Sequence, residues 1–295
     1  MSATRRPAIG AEALAAKGWW RTQRFLLLRR LTQAAVLLLF LSGPGWGVWI
    51  AKGNLASSLT LGVLPLTDPF LLLQSLAAGH TLATTALVGA AIVGVFYLLV
   101  GGRAYCAWVC PMNVVTDTAA WARRRLGLRS GARLSRGWRW ALLATALASA
   151  AATGTLAWEL VNPVTALQRG LLFGMGAAWA LVAGVFLFDL FVVPHGWCGH
   201  LCPMGATYAL LNRFALLRMV ARRREACHDC ADCYAVCPEP LILKPALKGR
   251  GTPVVTSMHC TQCARCLDVC SKDVFTFGTR FAAPSEPQND TRPRN

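Results

Sequence analysis

The sequence has little charge for its length. Asp, Glu, Lys and Arg make up 15% of its 295 residues, whereas hydrophobic residues make up 55%. A water-soluble domain with so few charged side chains would leave most of its apolar surface without polar cover. This shortage argues against a soluble protein and predicts a membrane protein.

Negative charge is the scarcest kind. Asp and Glu number 13 against 30 Lys and Arg, which gives a formal net charge of +17. Such an excess also occurs in nucleic-acid-binding proteins, and the placement of the basic residues decides between the two interpretations. Of the 30 Lys and Arg residues, only Lys52 and Arg169 lie in the two loops that follow the first and third apolar segments. That asymmetry is an orientation signal of a membrane protein, and we expect no nucleic-acid partner.

Four apolar segments have about the 20 residues that a helix needs to cross a bilayer. They cover residues 31–50, 82–101, 138–157 and 171–193. The positive-inside rule then places both chain termini and the cysteine-rich C-terminal domain in the cytoplasm. We therefore expect a multi-pass protein of a bacterial inner membrane, surrounded by membrane lipid.

Eight of the twelve cysteines form two copies of the spacing C-x2-C-x2-C-x3-C between residues 227 and 270. This is the spacing of bacterial two-cluster ferredoxins, in which the fourth cysteine of each copy ligates the other cluster. Zinc sites usually combine two C-x2-C pairs, and these quartets do not divide into such pairs. The spacing therefore predicts two [4Fe–4S] clusters. The expected ligands are Cys227, Cys230, Cys233 and Cys270 for cluster one, and Cys260, Cys263, Cys266 and Cys237 for cluster two.

The membrane part of the sequence contains an internal repeat. An Asp/Asn-Pro-x4-Gln segment begins at Asp68 and again at Asn162, and a C-x3-C-P-Met segment begins at Cys106 and again at Cys198. Each copy contains two apolar segments, so the copies are expected to run in parallel. The predicted fold is an all-α membrane domain of four transmembrane helices, arranged as two parallel two-helix repeats, with a small C-terminal ferredoxin-like domain.

These patterns divide the chain into four parts. Residues 1–30 form a basic cytoplasmic lead-in, and residues 31–220 form the membrane domain, with repeats at about 31–125 and about 138–220. Residues 221–281 form the two-cluster domain. Residues 282–295 are rich in Pro, Asn, Glu and Arg, a composition that predicts a disordered tail.

The remaining four cysteines leave three interpretations open. Two cysteines four residues apart lie on one face of a helix, so Cys106 and Cys110 from the first copy can converge with Cys198 and Cys202 from the second. They would then ligate a further metal centre, act as a redox-active dithiol pair, or simply pack in the protein interior.

Ionisable residues at membrane depth indicate function by default. Asp189 lies near the cytoplasmic end of the fourth segment. The alternative to a role in proton handling is that it snorkels to the membrane surface or pairs with an arginine such as Arg103. On the outer side, Asp68 offers a proton acceptor, although Asp-Pro is also an ordinary turn. The candidates for proton transfer and hydrogen bonding are Asp189, His195, His200, Asp68 and Gln74.

Several segments together resemble the NapH family of ferredoxin-type membrane proteins. They are the Lys-Gly-Asn to Asp-Pro stretch at 52–69, the two C-x3-C-P-Met motifs, and the Asp-Val-Phe-Thr-Phe-Gly-Thr-Arg-Phe stretch at 273–281. The resemblance covers nearly all of the chain from about residue 30 to 281. It implies a quinol dehydrogenase component with two [4Fe–4S] clusters that draws electrons from the quinone pool.

By the same resemblance, the electrons pass to a NapG-type iron–sulfur protein or a NapC-type multihaem cytochrome, and then to periplasmic nitrate reductase. Two other functions remain open: a redox protein for the assembly or sensing of a metalloenzyme, related to CcoG or NosR proteins, and a non-catalytic anchor and conduit. Because the hydrocarbon core of a bilayer is about 30 Å thick, the route from cytoplasmic clusters to a periplasmic acceptor is an open question.

Overall fold

A computed structural model describes residues 8–128, 131–132, 134–174, 176–249 and 251–282. The first element, α1 (Ala11–Trp46), is a 36-residue helix with a kink at Gly18. Among these residues, α1 alone is long and apolar enough to cross a membrane by length and composition. The domain boundary predicted at residue 30 therefore falls inside a helix.

A small antiparallel sheet follows α1, in a segment where only a loop was expected. Its strands β1 (Ala51–Gly53), β2 (Ser57–Thr60) and β3 (Leu64–Thr67) pair in that order. Gly62, at φ 73°, stands in the turn between β2 and β3, because that backbone conformation is open mainly to glycine. The all-α prediction is wrong here, since strands of three or four residues are too short to show a clear alternation in the sequence.

The other helices before residue 215 are shorter than the predicted spans. At the second and third predicted spans, α3 and α6 have 17 residues each. The fourth span is interrupted after Phe173, where Gly174 caps a helix at φ 65°. The helices are α2 (Pro69–Ala77), α3 (Thr84–Val100), α4 (Ala104–Trp108), α5 (Met112–Arg125), α6 (Gly137–Thr153), α7 (Ala157–Val161), α8 (Pro163–Phe173), α9 (Gly176–Leu187) and α10 (Pro203–Phe214).

Two π-helical turns, Phe188–Val192 and Trp197–Leu201, connect α9 to α10. Such turns are rare and occur often at functional sites. The helices pack around one buried apolar cluster that includes Phe70, Tyr105 and Tyr208. The described helices thus enclose a common core, although they do not form four uninterrupted spans.

The C-terminal part, residues 217–282, is closed by two antiparallel strands from its two ends. They are β4 (Leu217–Val220) and β5 (Thr276–Thr279), and between them lie α11 (Asp232–Val236), α12 (Lys244–Lys248) and α13 (Arg265–Asp268). Both cysteine loops lie inside this closed unit. All of the predicted disordered tail except Ala282 lies outside the described residues.

The N-terminal end of α1 packs on this C-terminal part. The backbone N–H of Gly10 donates to Asp232 Oδ2 at 2.8 Å, and Asp268 accepts the backbone N–H groups of Phe25 and Leu26 at 3.2 Å. Asp268 is fully buried. The segment predicted as a basic lead-in therefore begins a helix that is anchored to the C-terminal part.

Candidate functional site

The two cysteine quartets of the C-terminal part line two separate small cavities. Cys227, Cys230, Cys233 and Cys270 line the first, and Cys260, Cys263, Cys266 and Cys237 line the second. The last cysteine of each copy thus lies with the first three of the other copy, which is the grouping that the spacing predicts. No disulfide bond links any of these cysteines, all of which are free.

The same unusual backbone recurs in both loops. Asp229 and Ala231 in the first loop, and Gln262 and Ala264 in the second, have φ values between 51° and 64°. Residues other than glycine rarely adopt this conformation. The four positions are equivalent, because each pair flanks the second cysteine of its copy. Strain at such matched positions is typical of a site that holds a bound group.

The sulfur atoms do not stand close enough together to form a zinc site. All twelve cysteines are described, and no three of their sulfur atoms lie within 4.8 Å of one another. Four thiolates around one Zn²⁺, with Zn–S bonds of 2.3 Å, would stand about 3.8 Å apart. In a [4Fe–4S] cluster each cysteine ligates a different iron, so the sulfur atoms stand farther apart than around one zinc ion. The residues therefore fit iron–sulfur clusters better than zinc.

The second cavity faces the helical part of the chain. The indole N–H of Trp108 donates to the Gln262 carbonyl at 3.1 Å, and the Asn212 amide donates to the Cys260 carbonyl at 3.0 Å. In the first cavity, by contrast, Cys230 is exposed. Cluster two would therefore lie against the helices, and cluster one would lie nearer to the surface of the C-terminal part.

The two C-x3-C-P motifs meet in the interior of the helical part. The thiol of Cys110 lies near those of Cys106 and Cys202, and Cys198 lies near all three. Cys202 precedes α10, and its sulfur accepts the backbone N–H of Gly205 at 3.4 Å. Burial raises the pKa of Cys202 to about 12.

An apolar cavity of about 400 Å³ lies between α1, α3 and the three-stranded sheet. Phe40 and Val93 are among its apolar walls, and three of the four tyrosines of the chain reach it. Tyr105 and Tyr208 stack with ring centroids 4.6 Å apart, and Tyr97 meets them edge-on at 5.9 and 5.2 Å. The hydroxyl of Tyr105 has no hydrogen-bond partner.

Asp68 supplies a carboxylate to this cavity. It is only 4% exposed; Oδ1 accepts the Phe70 backbone N–H at 3.1 Å, and Oδ2 has no hydrogen-bond partner. Burial raises the pKa of Asp68 to about 7, although the Phe70 N–H and the Tyr208 hydroxyl act in the opposite direction. At neutral pH the carboxyl group is therefore divided between its two forms, and it can take up or release a proton.

Gln74, predicted together with Asp68, does not line the cavity. It is fully buried near the Glu159 carboxylate. Neither the oxygen nor the nitrogen of its side-chain amide has a hydrogen-bond partner. Its counterpart Gln168 instead accepts the Leu55 backbone N–H at 3.0 Å. Gln168 thus holds the loop before β2, whereas Gln74 has no such contact.

Asp189 lies away from Asp68, in the first π-helical turn. It is 1% exposed, and its Oδ1 accepts the Trp197 backbone N–H at 2.9 Å. Among the described residues, Arg103 is not bonded to Asp189; it donates to two carbonyl groups, those of Cys198 and His259, at 2.8 Å. The arginine that influences Asp189 is Arg123.

The two predicted histidines lie apart from the apolar cavity as well. His195 lines a basic cavity of about 390 Å³ that Arg29, Arg30 and Arg124 also line. His200 lies near Glu239, and its buried Nδ1 has no hydrogen-bond partner. Burial lowers the pKa of both histidines. The structure therefore separates Asp68 from Asp189, His195 and His200.

Sequence reasoning missed the three tyrosines beside Asp68. One signal was available: an aromatic residue, Tyr105 or Trp197, directly precedes each C-x3-C-P motif. Sequence reasoning named Arg103 only as a partner for Asp189 and missed Arg139; both arginines are fully buried and lie between the motifs and the second cluster cavity. Their positions in the sequence resemble those of the other basic residues, so nothing distinguished them.

The paired cysteine cavities and the fold around them define an iron–sulfur electron-transfer protein of the ferredoxin type. The 4Fe-4S dicluster domain family matches residues 226–274. A second family, the 4Fe-4S binding domain, matches twice, at residues 82–129 and 175–224. Each of these two matches contains one C-x3-C-P motif.

The chain belongs to the family of ferredoxin-type proteins that includes NapH and MauN, which confirms the resemblance. It is 51% identical to "Ferredoxin-type protein NapH" of Escherichia coli (strain K12), over 95% of this chain and 98% of that one. It is 54% identical to "Methylamine utilization ferredoxin-type protein MauN" of Paracoccus denitrificans (strain Pd 1222), over 91% and 95%. A more distant relative, "Putative electron transport protein YccM" of E. coli (strain K12), is 23% identical over 88% and 77%. No solved structure matches.

Proposed function

We propose that this protein is a quinol dehydrogenase component that oxidises quinol in the apolar cavity and passes the electrons to its iron–sulfur clusters. The observation that carries the proposal is Asp68, a buried carboxyl group with a pKa of about 7 that lines a cavity of about 400 Å³. A quinol needs apolar walls for its ring and a proton acceptor for its hydroxyl groups. Ligand sites of this kind combine apolar lining with a few polar groups.

Asp68 is the proton acceptor in this proposal. Oxidation of one quinol to quinone releases two protons and two electrons. In this proposal the Asp68 carboxylate, which lines the cavity, accepts one of these protons from a quinol hydroxyl, while Oδ1 remains bonded to the Phe70 N–H. A base is most effective when its pKa lies near the working pH, and a pKa of about 7 meets that condition. The tyrosine rings hold the quinol ring in place.

The electrons move from the cavity toward the C-terminal part. Bound iron–sulfur clusters supply one-electron acceptors. Tyr105 lines the cavity and is followed by Cys106, and Trp108, in the same short helix, donates to the loop of cluster two. These contacts favour cluster two, with Cys260, Cys263, Cys266 and Cys237 as ligands, as the first of the two to receive electrons. The exposed Cys230 places cluster one, with Cys227, Cys233 and Cys270, nearer to the surface of the C-terminal part.

The setting of this reaction is a bacterial inner membrane. α1 supports it, and so does the outer face of α3, where Val88, Val95 and Leu99 are 51%, 56% and 53% exposed. Lipid is the natural cover for such side chains. With the basic loops inside, the protein crosses the membrane several times, and both termini and the cluster domain lie in the cytoplasm.

The electron acceptor distinguishes two candidate systems. The NapH relatives favour the periplasmic nitrate reductase system, with a NapG-type iron–sulfur protein or a NapC-type multihaem cytochrome as partner. The MauN relative, at 54% identity, favours methylamine utilization as the second candidate. In both candidate systems, the reaction of this protein with quinol would be the same, and only the electron acceptor would differ.

Anaerobic mixing of the purified full-length chain with quinol in lipid nanodiscs tests the proposal. Ubiquinol and menaquinol are tried separately, and the EPR signals of the reduced clusters are recorded. We expect at least one quinol to reduce the clusters without a partner protein. If dithionite reduces them and neither quinol does, the protein is instead an anchor and conduit, or a redox protein for metalloenzyme assembly.

A further inference from the structure

The four cysteines of the C-x3-C-P motifs form a second, interior thiol cluster. Each motif brings two thiols to the same region. Cys106, Cys110 and Cys202 pack in one apolar cluster, and the sulfur of Cys198 lies 3.9 Å from Thr116 Oγ1 in α5, the helix that follows Cys110. Both motifs also present a helix N-terminus, with α5 after Cys110 and α10 after Cys202. Helix N-termini favour negative charge, because their first N–H groups have no partner within the helix.

Two buried arginines beside these thiols lack a full set of counter-charges. Arg103 and Arg139 are each 1% exposed, and the Nε of each has no hydrogen-bond partner. Arg139 lies 3.4 Å from Glu239, but Arg136 lies closer to the same carboxylate, at 2.6 Å. Among the described residues, no carboxylate pairs with Arg103.

Buried charges are stable only when they are paired, so the excess positive charge predicts an anionic group nearby. Cys202 lies close to both Arg103 and Arg139, and Cys106 lies close to Arg139. A metal centre bound by four thiolates supplies the missing negative charge. In the part of the chain that the structure describes, the four sulfur atoms are too far apart for a single tetrahedral zinc ion.

We infer that Cys106, Cys110, Cys198 and Cys202 together ligate one further iron–sulfur centre, shared between the two motifs. Each of the two regions that match the 4Fe-4S binding domain family contains only two cysteines, and both belong to its C-x3-C-P motif. A four-iron cluster takes four, so one centre needs both motifs. Arg103 and Arg139 are its positioning residues, since they set its charge balance.

This centre lies between the apolar cavity and cluster two. Tyr105, which lines the cavity, precedes Cys106, and Arg103 connects the Cys198 carbonyl to that of His259, next to Cys260. The centre is therefore an electron relay from the cavity to cluster two. The relay role rests on the proposed function, whereas the presence of the centre does not.

Iron and acid-labile sulfide counts test the inference on full-length protein, reconstituted anaerobically. We expect about twelve irons per chain, four for each of three clusters, and three reduced clusters after dithionite treatment. About eight irons, with two reduced clusters, would overturn the inference. Dithionite reduction needs no quinol, so a failure here is distinct from a failure of the quinol reaction.

Variants assign the extra iron to the four thiols. The double variant Cys106→Ser/Cys202→Ser is expected to lose about four irons and to keep the EPR signals of the dicluster domain. Met204→Leu, on the same short segment, is the matched control and should keep all the iron. If the double variant keeps the wild-type iron count, the assignment is wrong; if it does not fold, the wild-type count decides.

Arg139→Gln tests the charge argument. Removal of a positive charge makes a centre harder to reduce, so the reduction potential of the additional centre should fall while the iron count stays the same. A purely structural role for Arg139 would leave the potential unchanged, and that result would remove the arginine from the proposal.

Discussion

Asp68 and Asn162 occupy equivalent positions in the two motif copies and do different things. Each starts a helix whose first residue is proline, and each accepts the N–H two residues later, at 3.1 Å in α2 and 3.0 Å in α8. The remaining amide of Asn162 donates to Glu159 at 3.2 Å, whereas Oδ2 of Asp68 is buried without a hydrogen-bond partner in a residue that lines the cavity.

The aromatic residues before the two C-x3-C-P motifs also have different surroundings. Trp197 of the second copy stacks on Trp158, with ring centroids 6.3 Å apart, whereas Tyr105 of the first copy stacks on Tyr208 at the wall of the cavity. One helix-start motif therefore serves two purposes. In the second copy the Asn162 amide bonds within the protein, whereas in the first copy the second carboxylate oxygen of Asp68 has no such bond.

The largest expected effect comes from Asp68→Asn, which gives the first copy the residue of the second. Asparagine keeps the helix cap, as Asn162 does, but it cannot accept a proton. We expect the rate of cluster reduction by quinol to fall roughly 100-fold, the low end of the usual contribution of a general base, while dithionite still reduces the clusters. Glu159→Gln, which changes a carboxylate of the second copy, is the control. An equal loss in both variants would contradict the distinction between the copies.

The pH dependence of the wild-type protein gives the next effect. The pKa of Asp68 is raised to about 7, so its ionised, proton-accepting form decreases as the pH falls through 7. We expect the rate to fall about fivefold from pH 7 to pH 6, by the ordinary titration of one group. The measurement is the stopped-flow rate of cluster reduction at each pH. A profile that is flat over this range in the wild type would exclude Asp68 as the base.

Tyr208→Phe should produce a smaller shift of the same profile. The Tyr208 hydroxyl lowers the pKa of Asp68, so its removal should move the midpoint of the pH profile upward. Tyr234→Phe, in the C-terminal part, is the matched control and should leave the midpoint in place. A midpoint that moves downward in Tyr208→Phe would show that the hydroxyl does not stabilise the ionised carboxylate.

The smallest effect is expected for Asn162→Ala. This variant removes the cap of α8, which typically costs about 1 kcal/mol of stability. The thermal unfolding midpoint in detergent should fall slightly, and the quinol rate per folded molecule should not change. A marked loss of rate without a loss of stability would mean that the second copy also takes part in the reaction.

The cysteine groupings and the helix starts could be predicted from the sequence because they depend on short spacings. Four cysteines at fixed intervals constrain one loop, and Asp-Pro or Asn-Pro constrains one turn. The meeting of Tyr97, Tyr105 and Tyr208 could not be predicted in this way, since 111 residues separate the first from the last and tertiary packing alone brings them together.

The sheet and the docking of α1 were missed for related reasons. The strands between residues 51 and 67 are too short for a periodic signal. The bonds from Asp268 to the backbone of Phe25 and Leu26 join the two ends of the chain, and no local pattern encodes such a contact. The predicted helical spans failed where Gly174 interrupts the fourth.

The most direct test of the account is the attachment site of a photoreactive quinone. An azidoquinone is bound to the full-length protein in nanodiscs and irradiated, and the labelled residues are identified by mass spectrometry, with excess quinone as competitor. The account predicts competed labels on the lining of the apolar cavity, at residues such as Leu66, Val93 and Tyr97. Competed labels confined to the basic cavity around Trp121 and His195, with none near Asp68, would contradict it.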